Sequence, residues 1–241
     1  MLRRRDFGEA DRLVTLMTDR YGKVRALAKG TRRTKSRLGG HLEPYARTNV
    51  LIARGRNLDI ITQAQVVDSM NGLRSAEAAI VYSAHWAELV DLLMVEQQEN
   101  RPCYLALIRA LTSLDHGRSP SITSRIFESE VLTAAGFRPE LFSCIGCGKE
   151  IEPGNNGINI DGGGVMCPEC HVRDPQSRDV STDALKFLRA IARGDGERVH
   201  RQTISEDIQA EIEQVLIGFL RHVTEQDLNA FRVLKSLQFG R

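Results

Sequence analysis

The chain has 241 residues, 41% apolar, 27% charged and 5% aromatic, a composition that excludes disorder and predicts a mostly aliphatic core. Its net charge of +2 hides a strong asymmetry. Residues 1–56 hold 15 Lys/Arg against 5 Asp/Glu, a net of +10, while the remainder holds 18 against 26, a net of −8. A basic end of this kind calls for a polyanionic partner.

Apolar runs such as Val50–Ala53 and Val215–Ile217 fall far short of the ~20 residues that span a bilayer. The first residues are basic but no apolar stretch follows, and Asp6, Glu9 and Asp11 interrupt them, which argues against a secretory or transit leader. The expectation is a cytoplasmic protein with reduced thiols.

Residues 1–68 read as β. Leu13–Thr18 is a strand, Asp19–Gly22 supplies turn chemistry, and Lys23–Lys29 returns as the second arm of a hairpin. A polar loop follows over Gly30–Gly40. Thr48–Ala53 and Leu58–Val67 form a second hairpin about the turn Arg54–Asn57. So many strands without an intervening helix predict a small barrel or sandwich.

The pattern then turns helical. Ser75 is placed to cap a helix to about Gln98, ended by Arg101-Pro102; a second helix runs over Tyr104–Leu114, and Ser121 or Thr123 caps a third that stops at Gly136. Residues 143–178 are Gly-rich and show no helical period. Ser181 caps a helix stopped by Gly194. Ser205 opens the clearest helix, with Ile208, Ile212, Val215, Leu216, Phe219 and Val223 at the 3.6-residue period. The domains expected are 1–72, a nucleic-acid-binding β domain; 73–142, a first helical part; 143–178, a metal module; and 179–241, a second helical part.

Cys144-x₂-Cys147 and Cys167-x₂-Cys170 lie 19 residues apart, a zinc-ribbon spacing. Each Cys-x-x-Cys turn puts two thiolates on one side of a knuckle, and two facing knuckles make a tetrahedron. Four thiolates leave no position for water, so one Zn²⁺ would be structural. Ile158–Ile160 and Val165-Met166 look like the connecting hairpin. Cys103 reads as a small core residue. His41-Leu42-Glu43 with Cys167-Pro168-Glu169-Cys170 superficially resembles the parts of a zinc nucleobase deaminase, but the proline is misplaced and Cys144 and Cys147 already complete the site. No other pattern of acids or nucleophiles points to catalysis, and the expectation is a protein that is not an enzyme.

Ten cations fall between Lys23 and Arg56, and Thr31–Gly40 contains no acid at all. A merely solvated face normally alternates in sign. Lys23, Arg25, Lys29, Arg32, Arg33, Lys35 and Arg37, with Thr31, Thr34 and Ser36 interleaved, have the chemistry of phosphate-backbone contacts. Phe7, Tyr21 and Tyr45 are the aromatics near enough to stack on a base.

Leu2-Arg3-x-x-Asp6-Phe7-Gly8-Glu9-Ala10-Asp11-Arg12-Leu13-Val14, then Gly22-Lys23 and Lys29-Gly30-x-Arg32-Arg33-x-Lys35-Ser36-Arg37-Leu38-Gly39-Gly40, resemble the bacterial RecO recombination mediators. The resemblance continues through Ala135-Gly136-Phe137-x-Pro139-x-Leu141, the four cysteines and Leu234-Lys235-Ser236-Leu237. It implies an α+β multidomain chain with an N-terminal OB-fold β-barrel, an α-helical domain and an inserted four-cysteine, zinc-ribbon-like module. It also implies binding to single- and double-stranded DNA in the nucleoid, strand annealing, and loading of RecA onto strands coated by single-strand-binding protein, with RecR and RecF as partners. The acidic tail of single-strand-binding protein would then dock in an apolar groove near the last helix, rimmed by cations such as Arg193, Arg198, Arg201 or Arg221. Family members usually begin several residues earlier, with a stretch that completes the first strand, so either the start is placed late here or the first strand is shortened, and closure of the barrel depends on which. The runner-up is an RNA-binding protein built from the same OB and zinc-ribbon parts.

Overall fold

The structure is a computed structural model that describes residues 1–225; the expected motif at 234–237 and the end of the second helical part lie outside them. The described residues form two compact units, residues 1–120 and 121–225.

The first unit opens with five strands: β1 (Arg3–Phe7), β2 (Asp11–Thr18), β3 (Gly22–Ala28), β4 (Arg47–Ala53) and β5 (Asp59–Asp68). They form one sheet in the order β1-β2-β3-β5-β4. All pairs are antiparallel except β3–β5, which is parallel. This is the OB arrangement left open, because no ladder joins β1 to β4 among the described residues. The chain just before each strand does meet: Met1 N donates to Ala46 O at 2.8 Å and Tyr45 N to Met1 O at 2.9 Å.

One face of the sheet encloses Val14, Leu16, Ala26, Ala28, Leu42 and Ile61. The sequence of β2 does not alternate in polarity, because its other face is covered too: Leu13, Thr15 and Met17 are also buried. The elements that follow are α1 (Glu77–Leu93) and α2 (Arg101–Asp115). Trp86, Leu89 and Val90 are fully enclosed on α1, and Cys103, Ala106 and Leu111 line the inner side of α2. Burial pushes the Cys103 thiol up to about 12, as a core cysteine should behave.

Helix boundaries differ from the sequence reading at both ends of α1, at the start of α2 and at the third helix, which begins at Pro120 ahead of both expected caps. Ser75 does not cap α1; its hydroxyl donates to Gly72 O, and Ala76 precedes the helix without a side-chain cap. The helix stops at Leu93 instead of Gln98. The chain beyond runs beside the start of β3, where Gln97 N donates to Lys23 O at 2.8 Å and Glu96 bridges Lys23. Arg101-Pro102, expected as a break, forms the first turn of α2. Proline is welcome there because its missing N–H has no partner to lose, and Asn100 caps the turn by accepting from Cys103 N at 3.0 Å.

The second unit holds α3 (Pro120–Ala134), β6 (Asn156–Asn159), β7 (Gly164–Met166), α4 (Pro168–His171), β8 (Arg178–Val180), α5 (Thr182–Ala192), α6 (Gly196–His200) and α7 (Glu206–Thr224). Gly136 closes α3 with a positive φ of 88°, while Gly136 N bonds Thr133 O and Phe137 N bonds Leu132 O, the pairing of a Schellman stop. The caps read from sequence at Ser181 and Ser205 are present, accepting from Ala184 N and Ile208 N. α7 packs against α5. Ile212, Val215, Leu216 and Phe219 are buried and Ile208 and Val223 half-buried, so the stripe on α7 is core.

Candidate nucleic-acid interface and metal centre

The β3–β4 connection carries the acid-free stretch. Its base is pinned by Asp11, whose carboxylate accepts from Gly30 N at 2.7 Å, and by Thr31, whose hydroxyl donates to Ala28 O. Further on, Ser36 Oγ accepts from Leu38 N and Gly39 N. The loop therefore has a defined backbone while its long side chains point away from the fold. Lys29, Arg33, Lys35 and Arg37 are exposed, and none has an ion pair or side-chain hydrogen bond among the described residues. Four cations without an acid between them leave a concentrated positive field, which attracts phosphates from solution.

The other three expected cations sit differently. Arg32 is a staple: its guanidinium donates to Gly8 O and Glu9 O and lies 3.4 Å from Asp6, tying the loop to the β1–β2 turn. Lys23, expected among the phosphate contacts, is buried instead. Its side chain is 7% exposed, its ammonium lies 3.3 Å from the Asp91 carboxylate on α1, and it also donates to the Asp91 carbonyl. Its charge is compensated inside the fold instead of being offered to solvent. Arg25 is half-exposed, 3.8 Å from Asp91 and 3.5 Å from Glu96. Of the aromatics, Phe7 and Tyr21 are exposed and Tyr45 is half-buried. Sequence reasoning missed Arg3 and Arg5, which stand on the exposed edge strand β1. Their signal was present in the run of three arginines, but nothing local marked that run as a strand.

In the second unit the four cysteines converge. Their sulfurs all lie within 4.8 Å of one another, and Cys147 and Cys167 Sγ are 3.8 Å apart. A tetrahedron with metal–sulfur bonds of about 2.3 Å has edges of about 3.8 Å. The first knuckle is formed by Gly148 N bonding Cys144 O and Cys144 N bonding Lys149 O. The second starts α4, and the two are joined by the β6–β7 hairpin, in register Ile158 with Val165. Burial opposes ionisation of Cys144, yet the N–H groups of Cys167, Cys147 and Gly146 bring its thiol down to about 6. Hydrogen bonding to Cys167 first, with burial and the other thiols, drives Cys170 up to about 12. Four sulfurs so close cannot all ionise alone, and a central divalent cation removes that conflict. The donor set fits one.

His171 is not among the donors. Its Nδ1 lies 2.7 Å from Ser177 Oγ and its Nε2 3.0 Å from Asp179. Gly157 leaves the space for it, since a β-carbon there would fall 2.1 Å from Nδ1. Neither is His41 needed, because the four sulfurs converge without it; this removes the basis for a deaminase.

Family models for the N-terminal and C-terminal parts of recombination protein O match residues 1–70 and 75–230. The chain belongs to the RecO family. The DNA repair protein RecO of Roseiflexus sp. (strain RS-1) is 36% identical over 238 residues, covering 99% of this chain and 84% of that protein. That of Symbiobacterium thermophilum is 33% identical, covering 100% and 96%. That of Bifidobacterium adolescentis is 36% identical, covering 97% and 96%. The RecO assignment thus spans both the open OB-type sheet and the unit with the cysteine cluster. Among the described residues no helix is long and apolar enough to cross a membrane.

Proposed function

We propose that this chain is a DNA repair and recombination mediator that binds DNA through the β3–β4 loop and acts without chemistry of its own. The observation that carries the reading is the set of four exposed cations Lys29, Arg33, Lys35 and Arg37, without a side-chain partner among the described residues, on a pinned loop of an OB-type sheet. Such a surface holds phosphates with little regard to sequence. Lowering the repulsion between two backbones lets complementary bases search and pair, so strand annealing needs no catalytic group. Double-stranded DNA would be held by the same backbone chemistry.

Zn²⁺ bound by Cys144, Cys147, Cys167 and Cys170 would be structural, holding a short, Gly-rich module that has little core of its own. Family membership supports RecR, RecF and the tail of single-strand-binding protein as partners, with RecA loading as the indirect result. The reading is tested by mixing two complementary labelled strands with the purified chain. Accelerated duplex formation, lost when Arg33, Lys35 and Arg37 are changed to Gln, is expected. Annealing at the uncatalysed rate, or an unaffected triple variant, would overturn it.

A further inference from the structure

We propose that the outer face of β1–β3 carries a second, discrete phosphate site, formed by Arg3, Arg5, Arg25 and the hydroxyl of Thr15. This rests on the strand-binding reading and extends it to residues away from the loop.

The register aligns the site. Arg3 pairs with Thr15 and Thr15 with Arg25, so the three stand side by side across β1, β2 and β3. Arg5 is the next residue of β1 on the same face, and with Leu13 it completes the lining of a small cleft. The cleft is strongly unbalanced in charge. Arg3, Lys23 and Arg25 share one carboxylate, Asp91, at 3.3–3.8 Å, and only Glu96 adds a second acid. Arg5 has no ion pair among the described residues. Four cations against two acids leave two positive charges uncompensated.

Thr15 supplies the second, independent pointer. The residue is only 4% exposed, lines the cleft, and its hydroxyl makes no hydrogen bond among the described residues. The hydroxyl therefore opens onto the cleft, among arginine side chains that carry no acceptor, so the acceptor for its proton must come from outside the fold. A phosphate oxygen accepts from it and from the fork of an arginine at once.

The occupant is a phosphate of a single strand because the site continues toward the loop. Arg3, Arg5 and Phe7 alternate onto one side of β1, about 6.7 Å apart, a step comparable to one extended nucleotide. Phe7 is 42% exposed, and Arg32 ties the turn beyond it to the cationic loop. Phosphates at Arg3 and Arg5, a base on Phe7, and further phosphates at Arg33, Lys35 and Arg37 form one path.

The test uses the full chain and a dye-labelled oligothymidylate, titrated over a range of salt. Arg5→Gln is expected to weaken binding by about three- to tenfold and to flatten the salt slope by about 0.7, one single-strand phosphate contact. Thr15→Val is expected to weaken binding by about threefold at unchanged slope, because a hydroxyl carries no charge. Arg5 stands on an exposed edge, so its variant stays informative if Thr15→Val fails to fold. Arg5→Gln without effect, beside a loop triple variant that loses affinity, would overturn the second site and leave the loop reading standing. Both without effect would overturn the strand-binding reading itself. If both variants bind the oligothymidylate normally but lose binding to labelled polyglutamate, the cleft takes carboxylates of an acidic protein and the phosphate assignment is wrong.

Discussion

Replacing Asp91 with Ala should unfold the first unit more easily than replacing the lysine it holds. Lys23 is 7% exposed and Asp91 12%. Removing one partner of a buried pair costs roughly 3–5 kcal/mol, chiefly because the other charge is stranded. Lys23 would keep its bond to the carbonyl of residue 91, which puts Asp91→Ala near the lower end, about 3 kcal/mol. Lys23→Met takes the buried charge away and leaves Asp91 with Arg3 and Arg25, so about 1 kcal/mol is expected. Combining Lys23→Met with Asp91→Ala should cost less than the sum. Trp86 is the sole tryptophan and is fully enclosed on α1, so its fluorescence in urea reports this unit. With a slope of ~1–3 kcal/mol per M, the midpoint of Asp91→Ala falls by about 1–3 M. A larger loss for Lys23→Met than for Asp91→Ala would refute the buried pair. So would a Lys23→Met variant of normal stability whose strand binding loses one phosphate contact.

Two further outcomes follow from the second unit. Elemental analysis should find about one zinc per chain, and stripping it with a chelator should expose residues 143–180 to proteolysis; a metal-free chain of unchanged protease resistance would contradict a structural metal. Glu140 accepts from Phe142 N at 2.7 Å and Ser143 N at 2.9 Å, and these N–H groups, Phe142 first, hold its carboxyl below the ordinary range. A lowered carboxyl stabilises the fold above its unfolded pKa and loses that contribution as pH falls through the folded value. Glu140→Gln should therefore cost a few tenths of a kcal/mol at pH 7, discounted for exposure, and the difference in Tm should shrink below about pH 4.5; a difference constant with pH would count against the carboxylate.

Features set by local chemistry were legible in the sequence. Ser181, Ser205 and Gly136 act within a few residues of themselves, and the Cys-x-x-Cys spacing encodes half a tetrahedron on each side. Features set by distant partners were not. β1 reads Arg-Arg-Arg-Asp-Phe and carries no apolar alternation; it is a strand because β2 offers it an edge. α1 ends early because its following residues bond to β3. Lys23 looked like its cationic neighbours, and only Asp91, 68 residues away, makes it part of the core. The same distance effect divides the loop: Arg32 finds carbonyls at the β1–β2 turn, whereas Arg33, Lys35 and Arg37 find no partner among the described residues.

Those three free cations are the centre of the functional account, and salt titration of single-strand binding tests them most directly. Each phosphate contact contributes about 0.7 to the slope of log K against log salt on a single strand. Changing Arg33, Lys35 and Arg37 together to Gln should flatten the slope by about 2. The same slope in the triple variant as in the unaltered chain would mean that the loop is only solvated.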